Sequence, residues 1–168
     1  QIAVDGGPAQ IIVAQHVTPA APDVQQLVPA VTAITQALRR KPRAVLADAG
    51  YWSEANVEAL EAKDIDVFIA TGRHKHGDPP LVAPRGCPPA GLSVKDRMKR
   101  KLATLHGRRL YARRKAIVEP VFGQIKGARG FRQFLRRGLT NVGAEWSLLC
   151  TAHNLLKLFH APRTPLPA

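Results

Sequence analysis

Two carboxylates stand out in this sequence for their surroundings. Asp48 ends the short apolar run Ala44-Val45-Leu46-Ala47 and is followed by Ala49-Gly50-Tyr51-Trp52. A carboxylate at the carboxyl end of a buried strand lies where open α/β sheets gather ligands, and Gly50 lets the backbone turn away close behind it. The plainer reading is that Asp48 caps the turn into the next helix. Glu119 is the only acid between Asp96 and Glu145, set in dense positive charge on an otherwise apolar and basic helix. Lys115, Glu119 and Lys126 recur at steps of four and seven, which puts them on one helical face if Pro120 does not displace it. The plainer reading here is an intrahelical ion pair between Lys115 and Glu119. One carboxylate from a strand end and one from a packed helix can hold Mg²⁺ (or Mn²⁺), which takes a few oxygen ligands and leaves other positions to water and phosphate oxygens. Two such ions about 4 Å apart activate an attacking oxygen and steady a leaving one in phosphodiester cleavage or transfer. That chemistry usually needs three acids, and the sequence offers these two.

Charge carries the second signal. The formal net charge is +13, and it is unevenly placed: residues 1–70 hold five Lys/Arg and eight Asp/Glu, whereas residues 71–168 hold the other 20 basic groups and four acidic ones. Positions 95–137 alone hold 15 Lys/Arg against Asp96 and Glu119. Such a field attracts a polyanion, most commonly nucleic acid. A charged run is often only a solvated helix face, but the acids that would interleave such a face are missing from this stretch. Arg129, Arg132, Arg136 and Arg137, with Phe131 and Phe134 among them, offer cations for phosphates and rings that could stack on bases.

The elements that must position these residues follow from patterning. Residues 2–5 and 10–17, joined through Gly6-Gly7-Pro8, read as a hairpin. Asp23 can cap a helix with apolar positions Val24, Leu27, Val28, Val31, Ile34 and Leu38, kinked near its start by Pro29. Residues 44–47 read as a buried strand, Ser53 caps a helix to about Ala62, and residues 65–70 form another strand. From Thr71 to Leu92 prolines and glycines dissolve the pattern. Helices resume after Ser93, with an interruption at Gly107. Ile117, Val118, Val121, Phe122 and Ile125 share a face, and Pro120 must either bend or start that helix. A last helix spans about 142–160, with Trp146, Leu149, Cys150, His153, Leu156 and Leu158 as core positions. The order hairpin, helix, strand, helix, strand, insertion, helices predicts an α/β fold with a mixed sheet flanked by helices. An RNase H-like fold has that order preceded by one more strand. The expected organisation is a core at 1–70, a Pro/Gly-rich and basic insertion at 71–107, and C-terminal helices at 108–168 completing the same domain.

At 168 residues and 45% hydrophobic composition, the chain can bury a core without disulfides or structural metal. Cys87 and Cys150 are too few for a disulfide framework. No apolar run approaches the ~18 residues of a membrane span, and no signal peptide is evident, so a soluble, cytoplasmic protein is expected. The chain opens at Gln1 inside a strand, as a piece of something longer would.

At these residues the sequence resembles the DDE transposases of bacterial insertion sequences. The likeness is carried by Val45-Leu46-Ala47-Asp48-Ala49-Gly50-Tyr51, by Tyr111-Ala112-Arg113-Arg114-Lys115, and by Val118-Glu119-Pro120-Val121-Phe122-Gly123-Gln124-Ile125-Lys126. Gly130-Phe131-Arg132, Arg137-Gly138 and Ala152-His153-Asn154-Leu155 extend it to nearly the whole chain. The resemblance implies an RNase H-like catalytic domain in which Asp48 and Glu119 are the second and third metal-binding acids. It implies that Tyr111, Arg114 or Lys115, and Lys126 contact the transposon end near the cleaved phosphate. The family's spacing places Lys115, not Arg114, in the arginine slot, and Tyr111 is likewise one position off. The resemblance further implies transposon ends and target DNA as partners, Mg²⁺ (or Mn²⁺) as cofactor, and a homo-oligomer in a synaptic complex in the bacterial cytoplasm. Its first aspartate would lie on a strand ahead of this chain; Asp5, the only early acid, reads as a turn residue. The fragment is then expected to bind DNA without cutting it.

His74 and His76, near Asp78 and Cys87, match no usual zinc spacing and read as loop residues. His153 reads as a satisfied core histidine and Cys150 as buried and inert. Two other function classes compete with a metal-dependent DNA transesterase: a non-catalytic basic nucleic-acid-binding domain, and a small structural protein of a ribonucleoprotein. A pure binder has no use for Asp48 and Glu119, which separates the classes.

Overall fold

The computed structural model describes residues 1–72 and 82–161. His74, His76 and Asp78, like the chain end from position 162, lie outside the described residues. Regular elements are β1 (Ile2–Val4), β2 (Ile12–Gln15), α1 (Leu27–Leu38), β3 (Ala44–Ala47), α2 (Glu54–Glu61), β4 (Asp66–Ile69), α3 (Val94–Ala103), α4 (Leu105–Gly123) and α5 (Leu139–His160). They form two compact units, Ala20–Arg114 and Gln1–Pro19 with Lys115–Ala168, whose boundary falls within α4. The fold is mixed α/β, but the strands form two pairs rather than the single sheet that element order suggests: β1 with β2 antiparallel, β3 with β4 parallel.

In the unit Ala20–Arg114, β3, α2 and β4 make a β-α-β unit. Ser53 is extended, and its hydroxyl accepts the Asn56 N–H at 3.1 Å, which satisfies a donor that the first turn of α2 cannot use internally. Val67, Phe68 and Ile69 of β4 are all buried, as in a parallel strand covered on both faces. Leu27 and Val31 of α1, Val57 and Leu60 of α2, and Met98 of α3 pack with Val67 and Ile69. The start of α1 differs from expectation. A 3₁₀ turn at Asp23–Gln26 comes first, Asp23 caps no α-helix, and Pro29 lies in the first turn of α1, where its missing N–H has no intrahelical acceptor. The helix therefore runs on unbroken. The break between α3 and α4 falls at Thr104, not Gly107: Thr104 is extended, and its hydroxyl accepts the Gly107 N–H at 2.9 Å. A methyl group on Gly107 would overlap the Lys101 carbonyl oxygen, so this glycine serves close packing.

In the other unit, β1 and β2 pair from Ile2 with Gln15 to Val4 with Ile12, with an irregularity between Ala3 and Val4. Asp5 is a turn residue whose carboxylate accepts the Gly7 N–H at 2.9 Å. The other edge of β2 is occupied by a side chain: Asn154 of α5 accepts from the Ile12 N–H and donates to its carbonyl, both at 2.8 Å. Asn154 thus stands where a further strand would bond. Ile12, Val121, Ile125, Trp146 and Cys150 form the core. Pro120 lies inside α4, which neither starts nor stops there; the helix widens into a π-turn at Gln124–Ala128 before Gly130 ends it. Helix α5 begins at Leu139, earlier than its periodicity indicates, and Leu156 and Leu158 are exposed rather than core. Among the described residues no helix is long and apolar enough to cross a membrane.

Candidate functional site

Because β3 and β4 run in register, with Ala47 opposite Ile69, Asp48 leaves the pair at the carboxyl end of both strands. Its Oδ1 accepts the Gly50 N–H at 3.0 Å and so caps the 3₁₀ turn Ala49–Tyr51. Its Oδ2 faces Arg114 Nη1 at 3.9 Å, and the side chain is 52% exposed. Asp48 is therefore both the cap of the plainer reading and an accessible carboxylate. Tyr111 and Arg114, about one turn apart on α4, complete this end of the unit, with the guanidinium 5.6 Å from the ring centre. Arg114 Nε is buried without a hydrogen-bond partner among the described residues. Burial raises the Tyr111 hydroxyl pKa, opposed by Arg114 and reinforced by Asp48.

One acid near Asp48 escaped the sequence reading. A methyl group on Gly50 would sit 3.1 Å from Asp48 Oδ1 and 3.4 Å from Asp23 Oδ2, so both carboxylates border one glycine. Tyr51 registers both: burial, then Asp23, then Asp48 push its hydroxyl up to about 12. The Asn56 amide donates to the Val24 carbonyl at 2.6 Å and the Tyr51 carbonyl at 3.0 Å, tying the two turns together. No periodicity relates positions 23 and 48, which left Asp23 looking like a helix cap.

Glu119, Lys115, Lys126 and the four arginines belong to the other unit. Glu119 and Lys115 are exposed, and no ion pair joins them among the described residues. Pro120 leaves the Ala116 carbonyl without its helical donor, and Gln10 Nε2 supplies one at 2.8 Å. Lys126 lies in the π-turn with its ammonium 5.8 Å from the centre of the Phe122 ring, and the extra residue in that turn takes it out of simple α-helical register with Glu119. Arg129 differs from the other three arginines. Its Nη1 donates to Nδ1 of the fully buried His153 at 3.1 Å. Burial, then Arg129, hold the His153 pKa below its ordinary value, against the Gln10 backbone. Arg132, Arg136 and Arg137 are exposed. Phe131 and Phe134 meet each other at 5.4 Å between ring centres and Trp146 at 6.4 and 6.0 Å, forming an aromatic cluster in which Phe134 stays 41% exposed.

The basic field is also thinner on α3 than the sequence indicates. Arg97 pairs with Glu61 at 3.3 Å, Lys101 with Asp66, and Lys99 with Asp96 at 3.4 Å. Arg100 donates to the carbonyls of Arg85, Gly86 and Cys87. Acids missing from positions 95–137 thus reach α3 from α2 and β4.

The carboxylates are of the right kind for a hard cation, since the Asp48 side chain is half exposed and oxygen is what Mg²⁺ and Mn²⁺ take. They are few: among the described residues no three His, Cys, Asp or Glu side chains group closely enough to hold a metal.

Residues 89–159 match the family model of the transposase DDE domain. The matched stretch contains Glu119 and every basic residue from 95 to 137, and does not reach Asp48. No curated protein and no solved structure matches the chain.

Proposed function

We propose, from the transposase DDE domain that residues 89–159 match, that this chain works in DNA strand cleavage and strand transfer at the ends of a bacterial insertion sequence. The match is the observation that carries the reading. An RNase H-like organisation around the β3 and β4 pair is part of the same proposal, supported by the place of Asp48 at the carboxyl end of a parallel strand.

In this reading Asp48 and Glu119 would hold Mg²⁺ or Mn²⁺, which when bound would activate the attacking oxygen and stabilise the leaving one. Arg114, already beside Asp48, is suited to a phosphate of the transposon end, with Tyr111 under its guanidinium. Lys115 and Lys126 offer further phosphate contacts, and Arg132, Arg136 and Arg137 hold the flanking duplex without reading its sequence. Arg129 serves that surface indirectly, through its bond to His153. The working form is a homo-oligomer that brings two DNA ends together.

The competing reading, a non-catalytic binder, draws on the lack of a three-acid group among the described residues. Mn²⁺ titration in the presence of duplex DNA, followed by electron paramagnetic resonance, separates the two. The proposal expects bound Mn²⁺ that is lost in Asp48→Asn and in Glu119→Gln while DNA binding persists. DNA binding with no Mn²⁺ uptake beyond that of DNA alone would leave the non-catalytic binder.

A further inference from the structure

The loop between α4 and α5 has a shape that neither the carboxylates nor the general basic charge accounts for. It is bounded by Gly130 and Gly138, both at positive φ, and its base is fixed by the packing of Phe131 and Phe134 on Trp146. Its tip is fixed too. The Glu145 carboxylate accepts the Leu135 N–H at 3.0 and 3.1 Å and the Arg136 N–H at 3.1 Å. Asn141 adds a bond to the Arg137 carbonyl at 3.1 Å. A backbone held this firmly nevertheless presents a leucine to solvent: Leu135 is 79% exposed, while Phe134 beside it keeps 41% exposure with its ring against Trp146. Around that leucine stand Arg132, Arg136 and Arg137, whose side chains have no partner among the described residues.

We propose that Leu135 is a wedge that inserts between base pairs of duplex DNA while Arg132, Arg136 and Arg137 hold the neighbouring phosphates and Glu145 keeps the loop in its presenting shape. An apolar side chain on a rigid mount, ringed by cations, is what proteins use to unstack a base step and kink a duplex. The surrounding charge selects DNA over an apolar protein surface, on which three unpaired arginines would have to be desolvated. The proposal rests on the DNA-binding reading above and adds a distortion that phosphate contacts alone do not produce.

Affinity is a poor readout, because burying a leucine and unstacking a base step are opposed and similar in size. Base stacking is the direct one. A short duplex carrying 2-aminopurine within a TA step, the kind most easily unstacked, is titrated with the 168-residue chain at low salt. Fluorescence is expected to rise on binding. Leu135→Ala should lose that rise with affinity within about tenfold of wild type. Glu145→Ala should lose most of it, and Glu145→Gln, which keeps one acceptor oxygen, should recover part. Salt-sensitive binding without any rise in the wild type, or a rise that survives Leu135→Ala, overturns the wedge and leaves the DNA reading standing. No binding to duplex at all overturns both. A shift in sedimentation that depends on Leu135, with unchanged 2-aminopurine, would assign the tip to protein contact and also overturn the proposal.

Discussion

Replacing Asn154 with alanine tests what closes the free edge of β2. The side chain satisfies both backbone groups of Ile12, a residue only 6% exposed, so its loss strands a donor and an acceptor in a place water reaches poorly. Each such orphan costs about 1–3 kcal/mol, and partial hydration brings the expected total to about 2–4 kcal/mol. Against a domain stability of about 5–15 kcal/mol this is a large fraction. The chain has two tryptophans, Trp52 and Trp146, one in each unit. Urea unfolding followed by fluorescence in a Trp52→Phe background therefore reports the unit that holds Asn154. Its midpoint should fall clearly in Asn154→Ala. Asn154→Asp should fall at neutral pH as well, since it keeps the acceptor for the Ile12 N–H but sets a charged oxygen against the Ile12 carbonyl. If both variants stay within about 0.5 kcal/mol of the parent, the scale of an ordinary surface change, Asn154 does not stand in for a strand and the argument is wrong.

Gly107→Ala sets two effects of opposite sign against each other: helix propensity gains about 1 kcal/mol, whereas the overlap with the Lys101 carbonyl costs about 1–3 kcal/mol. A lower thermal midpoint by circular dichroism is expected, and a higher one would refute the close packing. For His153, burial and then Arg129 depress the folded-state pKa, so the unfolded chain binds more protons below about pH 6.5; the stability it contributes is complete above that value and is lost as pH falls through it. The Trp146 unfolding midpoint should drop between about pH 7 and about pH 5, and an equal drop in His153→Gln would show that another group titrates. Changing Arg132, Arg136 and Arg137 together to alanine should flatten the log-log salt dependence of duplex binding by about 3, with the loss alike for all sequences; an unchanged slope removes them from the interface. Gln10→Ala should cost about 1 kcal/mol in the parent and less in a Pro120→Ala background, where the restored N–H serves Ala116; equal costs would mean that Gln10 does not replace the missing helical bond.

What could be read ahead of the structure was governed by sequence distance. Ser53 and the Asn56 N–H it serves are three residues apart, so the cap and α2 were legible, as were the apolar runs of β3 and β4. The charge of α3 was misleading for the opposite reason. Its partners Glu61 and Asp66 lie 36 and 35 positions from Arg97 and Lys101, and composition along the basic stretch does not include them. Asp23 beside Gly50, and Asn154 against Ile12, are the same kind of case: the pairing is created by packing and leaves no periodic trace. Leu156 and Leu158 failed in another way. Apolar character marks them as core, but α5 is apolar on more of its circumference than its unit covers, so spacing cannot say which side is buried.

Pro120 shows why the neighbourhood of Glu119 is more constrained than its exposure implies. A proline inside α4 removes one backbone donor, and the carbonyl it abandons, on Ala116, lies one turn earlier. Gln10 fills the vacancy from the hairpin, and its Oε1 in turn accepts from Lys157 of α5 at 3.2 Å. Three segments that are remote in sequence thus meet at the turn from which Glu119 projects. A helix hydrogen bond fixes only its own helix. The exchange made here ties α4 to the β1–β2 hairpin and to α5, so the backbone that carries the carboxylate is located by the whole unit while the carboxylate itself stays open to solvent.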